Sequence, residues 1–274
     1  MGTQDDVRAL HEHYELGLEQ DRLTSPRGVL EFERSKELIL RHLPPTGSVI
    51  ADIGGGPGRY ALWLASLGYR VRHRDLVPVH VDQLSDIATT VIETAVGDAC
   101  ELDLDDESVD AVLLLGPLYH LRTRTERVEA LTEARRVVRP GGVVFAAAIS
   151  RWAPRLDGIL ASKLYEFLPA IVDEIDRFEH DGWMPPLAPG AFFGFCHRPV
   201  QLRSEVRAAG LTPVALVSVE GLAVMLPDLA ERLDESVGRE VVFQTARATE
   251  SIPELLGLGP HLMITARRPE AVVN

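Results

Sequence analysis

The sequence predicts an α/β fold in which helices cover both faces of a mainly parallel sheet. Short apolar runs alternate with helical segments from Val49 to Ile149, and this alternation is typical of parallel strands joined by helical crossovers. A glycine-rich turn directly follows the first apolar run. The chain has 274 residues and is 46% hydrophobic, which is enough to bury a full core.

The predicted elements follow in chain order. The polar N-terminal region has a helical pattern that ends at "PPTG". Five candidate strands cover residues 49–53, 69–74, 94–96, 109–115 and 143–149. Candidate helices between them lie near residues 58–67, 78–88 and 125–138. A later helix begins near Pro199 and ends at Gly210. Two further strands, in "LTPVALVSVEG" and "GPHLMITARRP", are expected to form a hairpin at the sheet edge.

We expect four regions along the chain. Residues 1–45 form an N-terminal helical cap and residues 46–150 a strand–helix core. Residues 151–198 break the rhythm and are expected to form an insertion over the strand ends, while residues 199–274 complete the core sheet. The sequence predicts one elaborated domain, because no separate linker or repeat divides it.

The insertion is rich in aromatic residues. Its helical part contains Tyr165 and Phe178, which we expect in the core. The segment from Trp183 to Phe195 is instead a Pro/Gly-rich loop with clustered aromatic side chains. Such a loop suits a lid over an apolar or aromatic substrate.

Composition narrows the classes of partner. The formal net charge is −13, which disfavours nucleic acid, since a protein that neutralises phosphates needs a basic face. Cys100 and Cys196 lack the spacing of a disulfide framework or a zinc site. No secretory signal is visible and no apolar run approaches the ~18 residues of a membrane span. We therefore expect a cytoplasmic protein with no membrane partner and no bound metal, and a homodimer stays open.

The glycine turn restricts the choice of cofactor. Gly54, Gly56 and Gly58 form a G-x-G-x-G pattern, and residues without a Cβ let the backbone approach a ligand closely. The dinucleotide fingerprint G-x-G-x-x-G/A requires a small residue at its last position. If the fingerprint starts at Gly54, that position is the bulky Arg59. If it starts at Gly56, the last position is Ala61, which is allowed, but the motif then begins two residues after the end of the strand. No Gly-Lys-Ser/Thr of a phosphate-binding loop follows. The turn alone leaves NAD and S-adenosylmethionine open.

Two acidic residues follow the next two candidate strands. Asp75 ends the second strand, where a carboxylate can accept both ribose hydroxyls. Asp98 follows the third strand, where it could accept the exocyclic amine of adenine, and the Ala99 N–H could meet a ring nitrogen. Because both acids are in register with a glycine turn, an adenosine-containing cofactor is favoured over two unrelated loop residues.

Five motifs follow one another between about residues 45 and 150: "VIADIGGGPGRYALWLA", "YRVRHRDLVPVHVDQL", "AVGDACEL", "SVDAVLLLGPLYHL" and "EARRVVRPGGVVFAAAI". They resemble, in the same order, the motifs of class I S-adenosylmethionine-dependent methyltransferases. The resemblance implies a three-layer Rossmann-like fold with a seven-stranded sheet, the last strand antiparallel. It also implies S-adenosylmethionine as methyl donor and S-adenosylhomocysteine as product. The cofactor residues that it implies are Asp52, Gly54, Gly55, Gly56, Gly58, Asp75, Leu76, Asp98, Ala99, Leu115 and Gly116.

A looser resemblance concerns the segments that flank the core. "YELGLEQDRL" and "FCHRPVQL" look like a bacterial subgroup that acts on small molecules. This resemblance implies that Tyr14 and Arg34 reach the carboxylate of the cofactor. It also favours a small-molecule acceptor, with attack by oxygen or nitrogen.

The chemistry requires alignment and, for a protonated nucleophile, a base. Tyr119 and His120 directly follow the fourth strand and are expected beside the methyl group; His120 could equally cap the loop or pack against the cofactor. His197 is a second candidate base, with capping of the next helix as its alternative role. Competing hypotheses are a methyltransferase of RNA or protein, a non-catalytic binder of the same cofactor and, more distantly, an oxidoreductase.

Overall fold

A mixed β-sheet forms the centre of the computed structural model, which describes residues 4–14, 22–187 and 191–270. Within these residues the sheet has nine strands. They are β1 (Val49–Ile53), β2 (Arg70–Asp75), β3 (Ile92–Val96), β4 (Val109–Leu114), β5 (Val138–Ser150), β6 (Trp183–Met184), β7 (Gly194–His197), β8 (Thr212–Ser218) and β9 (His261–Arg267).

Seven of these strands form the main sheet, in the order β3-β2-β1-β4-β5-β9-β8. Strands β1 to β5 are parallel to one another. Strand β9 runs antiparallel to both β5 and β8. The prediction of a seven-stranded sheet with an antiparallel last strand is therefore confirmed. The carboxyl ends of the parallel strands meet at one edge of the sheet, and this edge carries the site described below.

Helices cover both faces of the sheet. They are α1 (Gln4–Tyr14), α2 (Pro26–Leu40), α3 (Arg59–Ser66), α4 (Pro78–Ser85), α5 (Pro117–His120), α6 (Arg124–Val137), α7 (Ile171–Asp181), α8 (Pro199–Ala208), α9 (Leu229–Asp234) and α10 (Ser236–Thr249). Alternate residues of β1 face opposite layers, as the two-residue repeat of a strand requires. Ala51 packs in the cluster that contains Leu131 of α6, whereas Ile50 packs with Leu64 of α3. Both faces of β1 are buried, which explains its uninterrupted apolar sequence.

The insertion folds differently from its prediction. A π-helix (Pro154–Ala161), a short 3-10 helix (Leu164–Glu166) and α7 precede the two-stranded hairpin β6–β7. The sequence analysis described this last stretch as a loop, but Trp183 pairs with Phe195. Strand β7 also extends the main sheet, because His197 pairs in parallel with the end of β5. Phe178 is buried as expected, whereas Tyr165 is exposed, so its assignment to the core was wrong.

The two late strands are not joined by a short turn. Between β8 and β9 the chain forms a 3-10 helix (Gly221–Met225), α9 and α10. These helices bury an apolar cluster with Leu30 of α2, which the sequence analysis did not anticipate. Across the described ranges, none of the helices has the length and apolar character needed to cross a membrane. The predicted division of the chain into four regions stays a prediction.

Candidate active site

The glycine turn between β1 and α3 is tightly constrained. Gly54 and Gly56 have positive φ angles of 65° and 57°, which favour glycine. A Cβ on Gly54 would lie 2.5 Å from Pro117 Cγ, and one on Gly55 would lie 2.5 Å from Asp52 Oδ2. Larger residues would therefore displace the walls around the turn. The glycines keep this part of the sheet edge open to a ligand.

A cavity of about 130 Å³ lies on this turn. It collects most of the predicted site residues at the carboxyl ends of β1, β2, β3 and β4, where open α/β sheets bind ligands. The predicted residues that line it are Tyr14, Asp52, Gly54, Gly55, Gly56, Asp75, Leu76, Asp98, Ala99, Leu115, Gly116, Tyr119 and His120. Their roles stay predictions, but their convergence on one cavity is a feature of the fold.

Asp75 is held by the protein itself. Its Oδ2 accepts a hydrogen bond from the Gly56 N–H at 2.8 Å, and its Oδ1 accepts one from the Val77 N–H at 2.9 Å. The His80 Nδ1 lies 3.1 Å from the same Oδ1. Burial alone would raise the pKa of Asp75, but the His80 and backbone hydrogen bonds hold it below its ordinary value. The carboxylate is therefore ionised and fixed in orientation.

Asp52 is also buried, but its pKa is shifted in the opposite direction to that of Asp75. Burial, together with the nearby Asp75 carboxylate, raises its pKa to about 7. Among the described residues, its Oδ2 has no hydrogen-bond partner. A buried polar atom without a partner costs free energy, so a ligand that donates a hydrogen bond there would be favoured.

His120 packs against Tyr14 and Phe193, two residues that also line the cavity. Its Nε2 is 2.8 Å from the Tyr14 hydroxyl, and its ring centroid is 5.3 Å from that of Phe193. The Tyr14 ring is also 5.0 Å from the His80 ring, so this group lies on the Asp75 side of the cavity. Burial lowers the pKa of His120 to about 3, which leaves a neutral imidazole at physiological pH.

Tyr119 lies closer to the ends of β1 and β4. A Cβ on Gly116 would be 3.6 Å from the Tyr119 hydroxyl and 2.8 Å from the Gly54 carbonyl oxygen. The adjacent residues Tyr119 and His120 therefore line different parts of the cavity.

The motifs, the strand order and the cavity agree with a match to a known protein family. Residues 51–146 match the family model described as "Methyltransferase domain". These residues form a class I S-adenosylmethionine-dependent methyltransferase domain. The match contains most of β1, all of β2 to β4 and most of β5, together with the glycine turn and the three cavity acids Asp52, Asp75 and Asp98.

Relatives and solved structures extend this comparison. The tRNA (carboxymethyluridine(34)-5-O)-methyltransferase of Mus musculus is 34% identical over 113 residues, which are 40% of this chain and 15% of the relative. An enzyme of the same name from Arabidopsis thaliana is 31% identical over 148 residues, 53% of this chain and 32% of the relative. The chain thus spans less than a third of the length of each of these two relatives.

Two solved structures share the fold. An S-adenosylmethionine-dependent methyltransferase from Methanosarcina mazei has a TM-score of 0.58 and 18% identity, covering 85% of this chain and 98% of that one. The geranyl diphosphate C-methyltransferase of Streptomyces coelicolor, solved with Mg²⁺, geranyl diphosphate and S-adenosylhomocysteine, has a TM-score of 0.53 and 16% identity, covering 86% of this chain and 79% of that one. At this identity the likeness concerns the fold alone.

The cofactor of the methyltransferase domain is S-adenosylmethionine, with S-adenosylhomocysteine as product. The local chemistry fits it. The turn at Gly55 leaves no room for a side chain, and Asp75 is ionised at the edge where ribose hydroxyls would bind. Asp52 offers an oxygen that no other described residue hydrogen-bonds. Asp98 and Ala99 line the part of the cavity beyond β3, and their role in adenine recognition stays a prediction.

The assignment of Arg34 to the cofactor carboxylate was wrong. Its side chain is fully buried and lies outside the cavity. Its Nε donates to the Val219 carbonyl oxygen at 3.2 Å, and its other nitrogens pair with Glu37 and Glu250. The helical pattern placed Arg34 on α2 but could not give the direction of its side chain. This arginine joins α2 to the C-terminal part of the sheet.

His197 and Gly58 also lie outside the lining of the cavity. His197 is fully buried, and its Nε2 is 3.0 Å from a Glu205 carboxylate oxygen that also accepts from Arg127. It therefore belongs to a buried ion cluster under the insertion, and its assignment as a base was wrong. Gly58 begins α3 with a φ of 85°, and a Cβ there would collide with Leu84, so its role is in packing.

Sequence reasoning missed several residues that line the cavity. His80 has no motif of its own, but it lies five positions after Asp75, at the start of α4. Arg22 and Leu23 belong to the flanking segment "YELGLEQDRL", of which residues 15–21 lie outside the described residues. Phe193 was in the predicted aromatic lid, yet among the described residues of the insertion it alone lines this cavity. Arg22, and not Arg34, is thus an arginine of the N-terminal region at the site.

Proposed function

We propose that the protein transfers a methyl group from S-adenosylmethionine to an oxygen or nitrogen atom of a small molecule. The apolar lining of the cavity carries this proposal. Leu10 and Tyr14 of α1 pack with Phe193 in one apolar cluster beside the cavity. With Leu23 these residues are called the cover below, and a site lined in this way suits a small acceptor better than a folded nucleic acid. The net charge of −13 supports the same choice.

The residues of the chain would act by binding and orientation. Asp75 would accept the ribose hydroxyls, and Asp98 with the Ala99 N–H would select adenine. Asp52 would accept a hydrogen bond through Oδ2. When bound, the cofactor supplies an activated methyl group, so the protein has to align the acceptor and exclude water.

Tyr119 and His120 are the candidate groups for proton handling. In the present arrangement His120 Nε2 is occupied by the Tyr14 hydroxyl. His120 could therefore accept a proton from a substrate at Nε2 only after Tyr14 moves, whereas acceptance at Nδ1 requires the tautomer in which Nε2–H donates to the Tyr14 oxygen. The Tyr119 hydroxyl lies near Gly54 and Gly116, at the ends of β1 and β4. We propose that Tyr119 contacts the reacting side and that His120 acts as a base at Nε2 only when Tyr14 is displaced.

A tRNA nucleoside is the second candidate acceptor. Two curated relatives with 34% and 31% identity carry tRNA methyltransferase names. The aligned stretches cover only 15% and 32% of those relatives, and a shared cofactor domain does not by itself fix the acceptor. The acidic composition is the observation that ranks this candidate second.

Calorimetric titration of S-adenosylmethionine, S-adenosylhomocysteine and NAD tests the cofactor site. We expect the first two to bind, NAD to fail, and Asp75→Ala to weaken binding, with the exposed Asp86→Ala as matched control. Transfer of a radiolabelled methyl group to a small-molecule pool and to total tRNA then tests the acceptor. Labelled tRNA would overturn the small-molecule proposal, and binding without any transfer would indicate a non-catalytic binder.

A further inference from the structure

A second cavity, of about 750 Å³, opens at the same edge of the sheet as the first. It lies beyond the ends of β5 and β8 and beside the start of β9. Its volume is within the range of about 300–1,000 Å³ that small-molecule sites occupy. Most of its lining is apolar and includes Leu156, Leu160, Val224, Leu226 and Leu258.

The two cavities share a wall. Arg22 and Leu23 line the first cavity, whereas Ser25, Pro26 and Arg27 line the second. Arg22 also forms two hydrogen bonds with Glu31, at 2.6 and 3.1 Å, and Glu31 lines the second cavity. The segment 22–27 therefore borders both cavities and separates one from the other.

A charged group closes the inner end of the second cavity. Glu220 is buried, and its Oε1 lies 2.5 Å from His261 Nδ1. The Glu220 Oε2 also accepts a hydrogen bond from the His261 backbone N–H at 3.3 Å. Glu31 Oε2 lies 3.9 Å from the same Nδ1. Arg22 pairs with Glu31, so the charges along the series Arg22, Glu31, His261 and Glu220 alternate in sign. When His261 is protonated, the two positive and two negative charges sum to zero.

His261 is the candidate hydrogen-bond donor among the residues that line this cavity. Burial would lower its pKa, but the carboxylates of Glu31 and Glu220 raise it to about 9, against a smaller opposing effect of Arg22. The imidazolium uses Nδ1 on Glu220. Within the described part of the chain, no group is hydrogen-bonded to Nε2, and the side chain is 24% exposed where it lines the cavity. A protonated Nε2 can only donate.

We propose that the second cavity binds an apolar molecule that carries an anionic oxygen such as a carboxylate. The apolar walls take the body of the molecule, and His261 Nε2–H donates to the oxygen. This binding site goes beyond the proposed function and does not depend on methyl transfer.

A metal ion is the principal competing occupant. The ligand atoms of Glu31, Glu220 and His261 lie within 4.8 Å of one another, which a divalent cation could bridge. The present contacts oppose it, because Arg22 already neutralises Glu31 and a proton occupies Nδ1 beside Glu220. The cation would have to displace both.

Calorimetry with decanoate, decan-1-ol and decylammonium on the full chain, without cofactor, tests the proposal. We expect decanoate to bind tightest at pH 7 and to weaken as the pH rises through about 9, where His261 loses its proton. His261→Gln should weaken decanoate about tenfold and leave decan-1-ol unchanged, because a charge-assisted hydrogen bond is lost. His180→Gln, at an exposed histidine, is the matched control.

A second variant avoids the buried ion pairs. Ala230 is an exposed residue of α9 that lines the cavity, so Ala230→Trp should block decanoate and decan-1-ol together. Failure of decanoate to bind, equal binding of decylammonium, or an unchanged affinity in both variants would overturn the proposal. So would tight Mn²⁺ binding that depends on His261 in place of decanoate binding. Failure of S-adenosylmethionine to bind would instead overturn the proposed function.

Discussion

Asp52 provides the sharpest test of the electrostatics at the cofactor site. In the folded chain its pKa is raised from 3.8 to about 7. Below pH 3.8 the group is protonated in both states and imposes no penalty. Between 3.8 and about 7 only the unfolded chain ionises fully, so the free energy of unfolding declines as the pH rises, and above 7 it is level. Each pH unit of this interval is worth about 1.4 kcal/mol, which sets a ceiling of about 4 kcal/mol.

The substitution Asp52→Asn removes this penalty while keeping the size of the side chain. Its amide N–H takes the place of an oxygen without a partner among the described residues, which offsets part of the gain. We expect the variant to be about 2 kcal/mol more stable than the wild type at pH 8 and nearly equal at pH 4. Urea unfolding at the two pH values measures the difference, with the exposed Asp86→Asn as control. A difference independent of pH would refute the reasoning.

Three further predictions concern residues with distinct contacts. Gly55→Ala should abolish S-adenosylmethionine binding in calorimetry, because its Cβ would lie 2.5 Å from Asp52 Oδ2; normal affinity would mean that the turn is not constrained. His197→Ala should cost about 2–4 kcal/mol in urea unfolding and leave cofactor affinity unchanged, since it removes a buried hydrogen bond and creates a cavity outside the site; weaker cofactor binding by a stable variant would return His197 to the site. Tyr14→Phe should accelerate S-adenosylmethionine dissociation about fivefold in stopped flow, because the cover loses its hydrogen bond to His120; an unchanged rate would count against the cover.

The part of the site that could be predicted from the sequence lies within short segments at strand ends. The sequence places one acidic residue at or just after each of three strands: Asp52 in β1, Asp75 in β2 and Asp98 after β3. Because the carboxyl ends of these parallel strands meet at one edge of the sheet, the three residues could be predicted to lie in one cavity. A strand with alternating side chains and a glycine turn can both be recognised from neighbouring residues. Parallel pairing of the strands then fixes where these turns lie relative to one another.

Residues that depend on side-chain direction across long sequence distances could not be predicted. Arg34 and Glu250 are 216 positions apart, and nothing in the N-terminal pattern indicates that they pair. His197 follows an aromatic segment that looked like a loop, but strand pairing to β5 turns its ring toward Glu205. The helices between β8 and β9 were missed for a related reason, because their burial depends on α2.

The pairing of β7 with β5 and β6 has a kinetic consequence for the entry of ligands. Phe193 immediately precedes β7, whose main chain is fixed to two neighbouring strands, so this side of the cover cannot swing without breaking the sheet. Helix α1 is held less firmly than β7, because Leu10 is the only buried side chain among its residues 8–14. The residence time of bound molecules should therefore be set by detachment of α1. Amide hydrogen exchange would then be rapid in α1 and slow in β7.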